Sequence, residues 1–212
     1  MTVRVADGEP AAECQVDFGR MGLLFDPAAG RRRVVWALIF TACYSRHGFV
    51  WLSFRQTTAD VVAGCEAAWV FFGGVFRVVI PDNLRAVVVD ADDVAPRLNQ
   101  AFVEYAQSRG FVVDPARVGH PKDKARVERT VNYVRGSFFA GEDFADLAAQ
   151  RRAEAWCRTT AGQRVHGTTQ RRPAEVFSAV EAARLSPAPV MPYDLPVYAQ
   201  PKVARDHHVE VA

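Results

Sequence analysis

The chain has 212 residues, half of them hydrophobic, and a formal net charge of +2. This fits one α/β domain with a short appendage and enough apolar residues for a sizeable core. No uninterrupted apolar run reaches bilayer-spanning length, and MTVRVADGEP lacks an apolar signal core, so a cytoplasmic location is expected. Cys14, Cys43, Cys65 and Cys157 are far apart with no CxxC pair, which argues against a zinc site or a disulfide framework and reads as buried thiols in a reducing compartment.

Residues 1–12 read as a poorly ordered lead-in. From Glu13 to Phe18 apolar positions alternate, as in a half-buried strand; Gly19 and Gly22 interrupt it and Leu23 to Phe25 resume it. Asp26 to Gly30 is turn chemistry. Val34 to Thr41 is apolar on both faces and marks a central strand, and Phe49 to Phe54 is the next, so the first three strands form an antiparallel meander. Thr57 or Thr58 caps a helix with Asp60 in its first turn; Val61, Cys65, Ala68, Trp69 and Phe72 recur at helical spacing, and Gly73-Gly74 stops it. Val75 to Ile80 is a buried strand ending at Pro81-Asp82-Asn83. A second helix runs through Leu98, Phe102 and Tyr105 to Gly110, followed by a short strand at Phe111 to Val113. After a loop over residues 114–121, Val127, Val131, Val134 and Phe138 line a further helix, and another covers Phe144 to Thr159. Five prolines after Ser186 signal a linker. The order predicts an α/β fold: a mixed five-stranded sheet flanked by helices.

Three acids occupy settings that suit catalysis: Asp17 on an alternating strand, Asp82 at the end of an apolar strand, and Glu128 on a basic amphipathic helix. Phosphodiester chemistry needs a nucleophilic oxygen activated and a leaving oxygen stabilised, which two Mg2+ ions about 3.5–4 Å apart can do. Mg2+ prefers hard oxygen ligands and keeps several waters, so a few carboxylates from separate elements suffice. Lys124, Glu128 and Arg135, at helical offsets of four and seven, share a face with phosphate-binding character. Taken singly, each feature has a plainer reading. Asp17 is then an edge residue, Asp82-Asn83 a strand-ending turn, Glu128 a partner of Lys124, and the basic stretch a solvated helix face.

In combination, QVDFG, VVIPDNL, KDKARVERTVNYVRGSF and RVHGTTQRRPAEVF resemble, in that order, the core of DDE transposases of the retroviral-integrase superfamily. The branch they are most similar to is the bacterial insertion-sequence transposases that work with an AAA+ ATPase helper. The resemblance covers residues 10–180 and implies an RNase H-like fold. It assigns Asp17, Asp82 and Glu128 as catalytic metal ligands for two Mg2+ ions, with Mn2+ as a substitute. It implies DNA 3′-end cleavage and strand transfer during transposition, with DNA ends and target as partners, a multimer on DNA, and no membrane. Lys122, Lys124, Arg135, Arg171 and Arg172 would lie near DNA. The block from His166 to Pro173 reads either as a DNA contact or as a capped turn docking the last helix.

The resulting domain plan is a lead-in at 1–12, a catalytic core at 13–180, and a Pro-rich linker at 181–212 with VARDHHVEVA resembling the first strand of a truncated β-barrel. Because the helix-turn-helix segments of the family are not visible, two other readings stay open. One is a non-catalytic fragment that binds DNA or a full-length transposase; the other is a stand-alone RNase H-like nuclease.

Overall fold

The computed structural model describes residues 8–82, 84–90, 96–115, 130–140, 149–188 and 190–196. Strands β1 (Glu13–Asp26), β2 (Arg31–Ala42) and β3 (Gly48–Ser53) form the expected antiparallel meander. Strands β4 (Val78–Pro81) and β5 (Val112–Val113) extend it in parallel, giving the order β3-β2-β1-β4-β5. β1 therefore lies at the centre, antiparallel to one neighbour and parallel to the other.

Helix α1 (Thr58–Phe72) covers one face. Thr57 is its N-cap, and Asp60 closes a capping box by accepting the Thr57 amide at 3.2 Å, an arrangement worth about 1 kcal/mol. Gly64 lets α1 approach the sheet, since a Cβ there would lie 2.7 Å from Leu38 and 3.0 Å from Trp51. Phe40 and Phe49 of the sheet meet Trp69 and Phe71 of α1 at ring separations of 6.2 and 4.8 Å. α2 (Gln100–Arg109), capped by Asn99, packs on α1, where the buried Trp69 Nε1 donates to Tyr105 Oη at 3.0 Å.

The opposite face receives α3, helical at 130–134 and widening into Arg135–Phe139, and α4 (Ala149–Trp156), which continues into Cys157–Ala161. Gln150 of α4 binds the main chain of edge strand β3: its Oε1 accepts from Leu52 N at 2.7 Å and its Nε2 donates to Val50 O at 2.9 Å. One side chain thus covers polar groups that an exposed strand edge would offer to other chains. α5 (Pro173–Val176) passes into Phe177–Glu181. Glu181 is fully buried, and its two oxygens accept from Ala11 N at 3.0 Å and Ser45 N at 3.1 Å. Ala11 and Ala12 are buried as well.

The structure departs from the local pattern at three places. β1 runs unbroken through Gly19 and Gly22, with an irregularity between Arg20 and Leu23 where two residues oppose one on β2. A bulge absorbs the extra residue, so the strand bends without ending. The apolar run at Val75 to Ile80 divides: Gly74–Val75 pairs with Ser186–Pro187, and only Val78–Pro81 joins the main sheet. Its first partner comes from the Pro-rich stretch more than a hundred residues away, which local periodicity does not reveal. That stretch also packs back on the helices. Arg109 holds Glu66 at 2.9 and 2.7 Å, donates to Met191 O at 2.8 Å, and lies 5.6 Å from the Tyr193 ring. The sequence regions 1–7, 116–129, 141–148 and 197–212, including most of the residue 114–121 loop and VARDHHVEVA, lie outside the described residues. Among the described residues no helix is long and apolar enough to cross a membrane.

His47 is buried among Phe71, Phe72 and Phe177. Burial, helped by the nearby Arg158 charge, pulls its pKa down to about 4. The unfolded chain, with an ordinary imidazole, therefore binds this proton first as pH falls. The stability of neutral His47 is fully present above about pH 6.5 and is lost progressively toward pH 4. Urea unfolding at pH 7 and pH 5 should show the wild type losing about 2 kcal/mol more than His47→Phe; equal losses would contradict the assignment.

Candidate active site

Asp17 lies at the middle of β1, half-buried, with Oδ1 accepting from Phe18 N at 2.7 Å. The last register pair between β1 and β4 is Val16 with Pro81. The ladder continues one step further, because Asp82 N donates to Val16 O at 3.0 Å. This brings Asp82 alongside Asp17 on the neighbouring strand, at an interstrand spacing of about 4.8 Å. Asp82 is half-buried and its Oδ1 is shielded from solvent. Two of the three acids that the sequence singled out are therefore neighbours, Asp17 on β1 and Asp82 directly after the end of β4.

Side-chain alternation puts Gln15, Asp17 and Gly19 on one face of β1, opposite the α1 face. Gly19 is where α3 comes down. A Cβ on Gly19 would sit 2.7 Å from Val131 Cγ1 and 2.5 Å from Met21 Cε. Met21 can swing away, but a β-branched valine has little rotamer freedom on a helix. Arg135 adds a second attachment, donating from Nε to Arg20 O at 3.0 Å. Sequence reading took Gly19 only as a strand interruption. The available signal was a glycine in a strand interior, which marks close approach by another element.

Glu128, Lys122 and Lys124 lie outside the described residues, as does Asn83. Val131, three positions after Glu128, is the residue seated on Gly19. Arg171 and Arg172 are exposed, and Arg172 pairs with Glu175 at 3.0 Å. The block from His166 to Pro173 forms a closed turn. His166 Nδ1 accepts from the amides of Thr168 and Thr169 at 3.4 Å, His166 N donates to Arg171 O at 2.9 Å, and Pro173 opens α5. Among the described residues no group of three or more potential metal ligands converges.

A meander extended by two parallel strands, helices on both faces, and paired acids on the two central neighbours define an RNase H-like domain. Comparison with known proteins supplies the narrower placement. The chain is 38% identical over 213 residues to a Mycobacterium tuberculosis protein named as a transposase, covering 100% of this chain and 52% of the relative. It is 26% identical over 214 residues to the transposase of insertion sequence element IS21 from Pseudomonas aeruginosa, covering 99% of this chain and 53% of the relative. Among solved structures it is similar to the HTLV-2 integrase catalytic core domain, with a TM-score of 0.57, 14% identity, and coverage of 80% of this chain and 97% of that one. No family model matches the chain. The chain spans about half the length of these transposase relatives. It is a relative of bacterial insertion-sequence transposases, built on the RNase H-like fold of retroviral integrase cores.

The Gly19 contact yields a test. Gly19→Ala should destabilise the protein by about 1–3 kcal/mol through overpacking against Val131. Val131→Ala in the same chain should recover most of that loss in a denaturation cycle. Additive losses would show that the two residues do not meet.

Proposed function

We propose that this chain is the catalytic core of an insertion-sequence transposase, cutting DNA at element ends and joining the freed 3′-hydroxyl to target DNA. The observation that carries the reading is the adjacency of Asp17, on the central strand β1, and Asp82, directly after the end of the neighbouring strand β4, in an RNase H-like sheet. Glu128, on the segment leading into α3, is proposed as the third carboxylate. The donor set fits divalent ions. Its members are hard oxygen ligands, and the two described ones are half-buried beside each other, which suits Mg2+ better than a softer metal. The HTLV-2 integrase core to which the chain is similar was solved with magnesium in a trimeric form, which supports the same ion and a multimeric assembly for this chain; Mn2+ as a substitute rests on the motif resemblance alone. When bound, a pair of such ions supplies Lewis-acid activation of the attacking oxygen and stabilises the leaving one.

The protein's own part is placement. The two-sided ladder of β1 holds Asp17 at a fixed height, the extra ladder bond from Asp82 N sets the second acid beside it, and the seat of Val131 on Gly19 fixes how near α3 lies. In the cleavage step the oxygen of water attacks the phosphorus and the 3′-oxygen leaves as a hydroxyl. In the joining step that hydroxyl oxygen attacks a target phosphorus, the target's own 3′-oxygen leaves, and the proton given up by the attacking hydroxyl ends on the departing 3′-hydroxyl. Lys122, Lys124, Arg171 and Arg172 are proposed to hold phosphates along this path. Arg135 can join them through its exposed guanidinium, whose Nε donates to Arg20 O and whose Nη1 donates to Asn132 Oδ1. An AAA+ ATPase helper is part of the proposed assembly on the strength of the motif resemblance alone.

Removing a metal-binding carboxylate should cost more than removing the outer groups that orient one, which typically costs about 10–100-fold. Asp82→Asn should therefore lower strand transfer, measured with Mg2+ on element-end DNA in the complete transposase, by at least about 100-fold. Its thermal stability should stay close to wild type. Retained strand transfer in this variant would sink the assignment.

A further inference from the structure

The β1–β2 hairpin carries a set of charges that the site does not use. Its tip is built to be rigid: Asp26 Oδ1 accepts from Ala28 N at 3.0 Å, Asp26 O accepts from Ala29 N at 3.2 Å, and Gly30 takes the left-handed conformation at φ 62°. Arg33 binds Asp26 Oδ2 at 2.7 Å and holds that carboxyl below the usual range. Asp26, the one acid of the ribbon tip, is thereby neutralised inside the hairpin. Arg31 and Arg32 are both exposed and have no carboxylate within ion-pair distance among the described residues. Arg20, further back on the ribbon, is exposed too.

Alternation along β2 sends Arg31 to the face that bears Asp17 and Arg32 to the other, where it opposes Phe25. A tip with one guanidinium on each side matches a groove whose two walls are phosphate backbones. The major groove of B-DNA, about 12 Å wide, admits a two-stranded ribbon. The reach is also right. Asp26 lies nine residues beyond Asp17 on β1, and their partners Arg31 and Ile39 lie eight apart on β2 because of the bulge, a reach of about 26 Å at about 3.3 Å per residue, or about eight base pairs of duplex. A duplex with its scissile phosphate at Asp17 can therefore still be in contact with the tip.

We propose that the β1–β2 hairpin is a second DNA contact, a rigid ribbon seated in the major groove with Arg31 and Arg32 on the phosphates of its two walls. This rests on the DNA-cutting function proposed above. The occupant is duplex DNA rather than an acidic protein surface, because a thin two-faced ribbon with cations on both sides meets a single flat acidic surface with only one of them.

The test is fluorescence anisotropy of the full chain with a 30-base-pair mixed-sequence duplex across a salt series, in EDTA so that no cleavage occurs. Loss of two phosphate contacts should lower the slope of log affinity against log salt by about 1.8 in Arg31→Ala/Arg32→Ala. The double lysine variant should keep the wild-type slope. An unchanged slope in the alanine variant overturns the proposal and leaves the catalytic reading standing. So does an equal drop in Arg97→Ala/Arg184→Ala, which removes the same charge elsewhere on the surface. A wild-type chain that binds no duplex even at low salt overturns the catalytic reading itself. An alanine variant with an unchanged melting temperature confirms that the slope reports contact and not misfolding.

Discussion

Everything at the candidate site depends on β1 being hydrogen-bonded along both edges. From Cys14 to Asp26 it is tied antiparallel to β2, and from Glu13 to Val16 it is tied in parallel to β4. A strand held on two sides cannot slide without breaking both ladders and turning every side chain to the wrong face. The catalytic candidates inherit that rigidity: Asp17 directly follows the stretch held on both edges and stays paired to β2, and Asp82 follows the last residue of the strand paired to β1. Precision at the acids is thus a property of the main chain, with little demand on the side chains around them.

The sheet and the acids were legible because each rests on a local signal. Apolar alternation announced β1, the two-sided apolar run announced β2, and Thr57, Asp60 and Gly73 bounded α1. Asp82 could be placed because the strand before it is apolar and ends in a proline. What stayed hidden depends on residues distant in sequence. The pairing of Gly74–Val75 with Ser186–Pro187 leaves no periodic trace in two-residue segments. The role of Gly19 requires knowing that Val131 arrives above it. Lys122, Lys124 and Glu128 rest on motif and spacing, and fall outside the described residues.

Glu181 shows a cost the fold accepts in order to close. A carboxylate with no solvent exposure is expensive unless its oxygens are satisfied. Here each oxygen takes one main-chain amide, from residues before β1 and from the turn between β2 and β3. Charge-assisted bonds to amides are stronger than neutral ones. One side chain from the segment that continues α5 therefore joins three regions far apart in sequence. A polar residue in this position favours one arrangement of those regions over near alternatives, since any misplacement strands a buried charge.

The four cysteines have a use that follows from their surroundings. Cys14, Cys43, Cys65 and Cys157 are all buried; burial pushes the Cys14 and Cys65 thiols well up and the Cys157 thiol to about 12. Thiols so placed carry almost no thiolate at neutral pH and are out of reach of reagents. Cys14 on β1 and Cys65 on α1 belong to the central core, and Cys157 opens the helical segment that continues α4. Alkylation kinetics resolved by site would therefore time the opening of the sheet core and of the α4 layer separately, with probes the protein already carries.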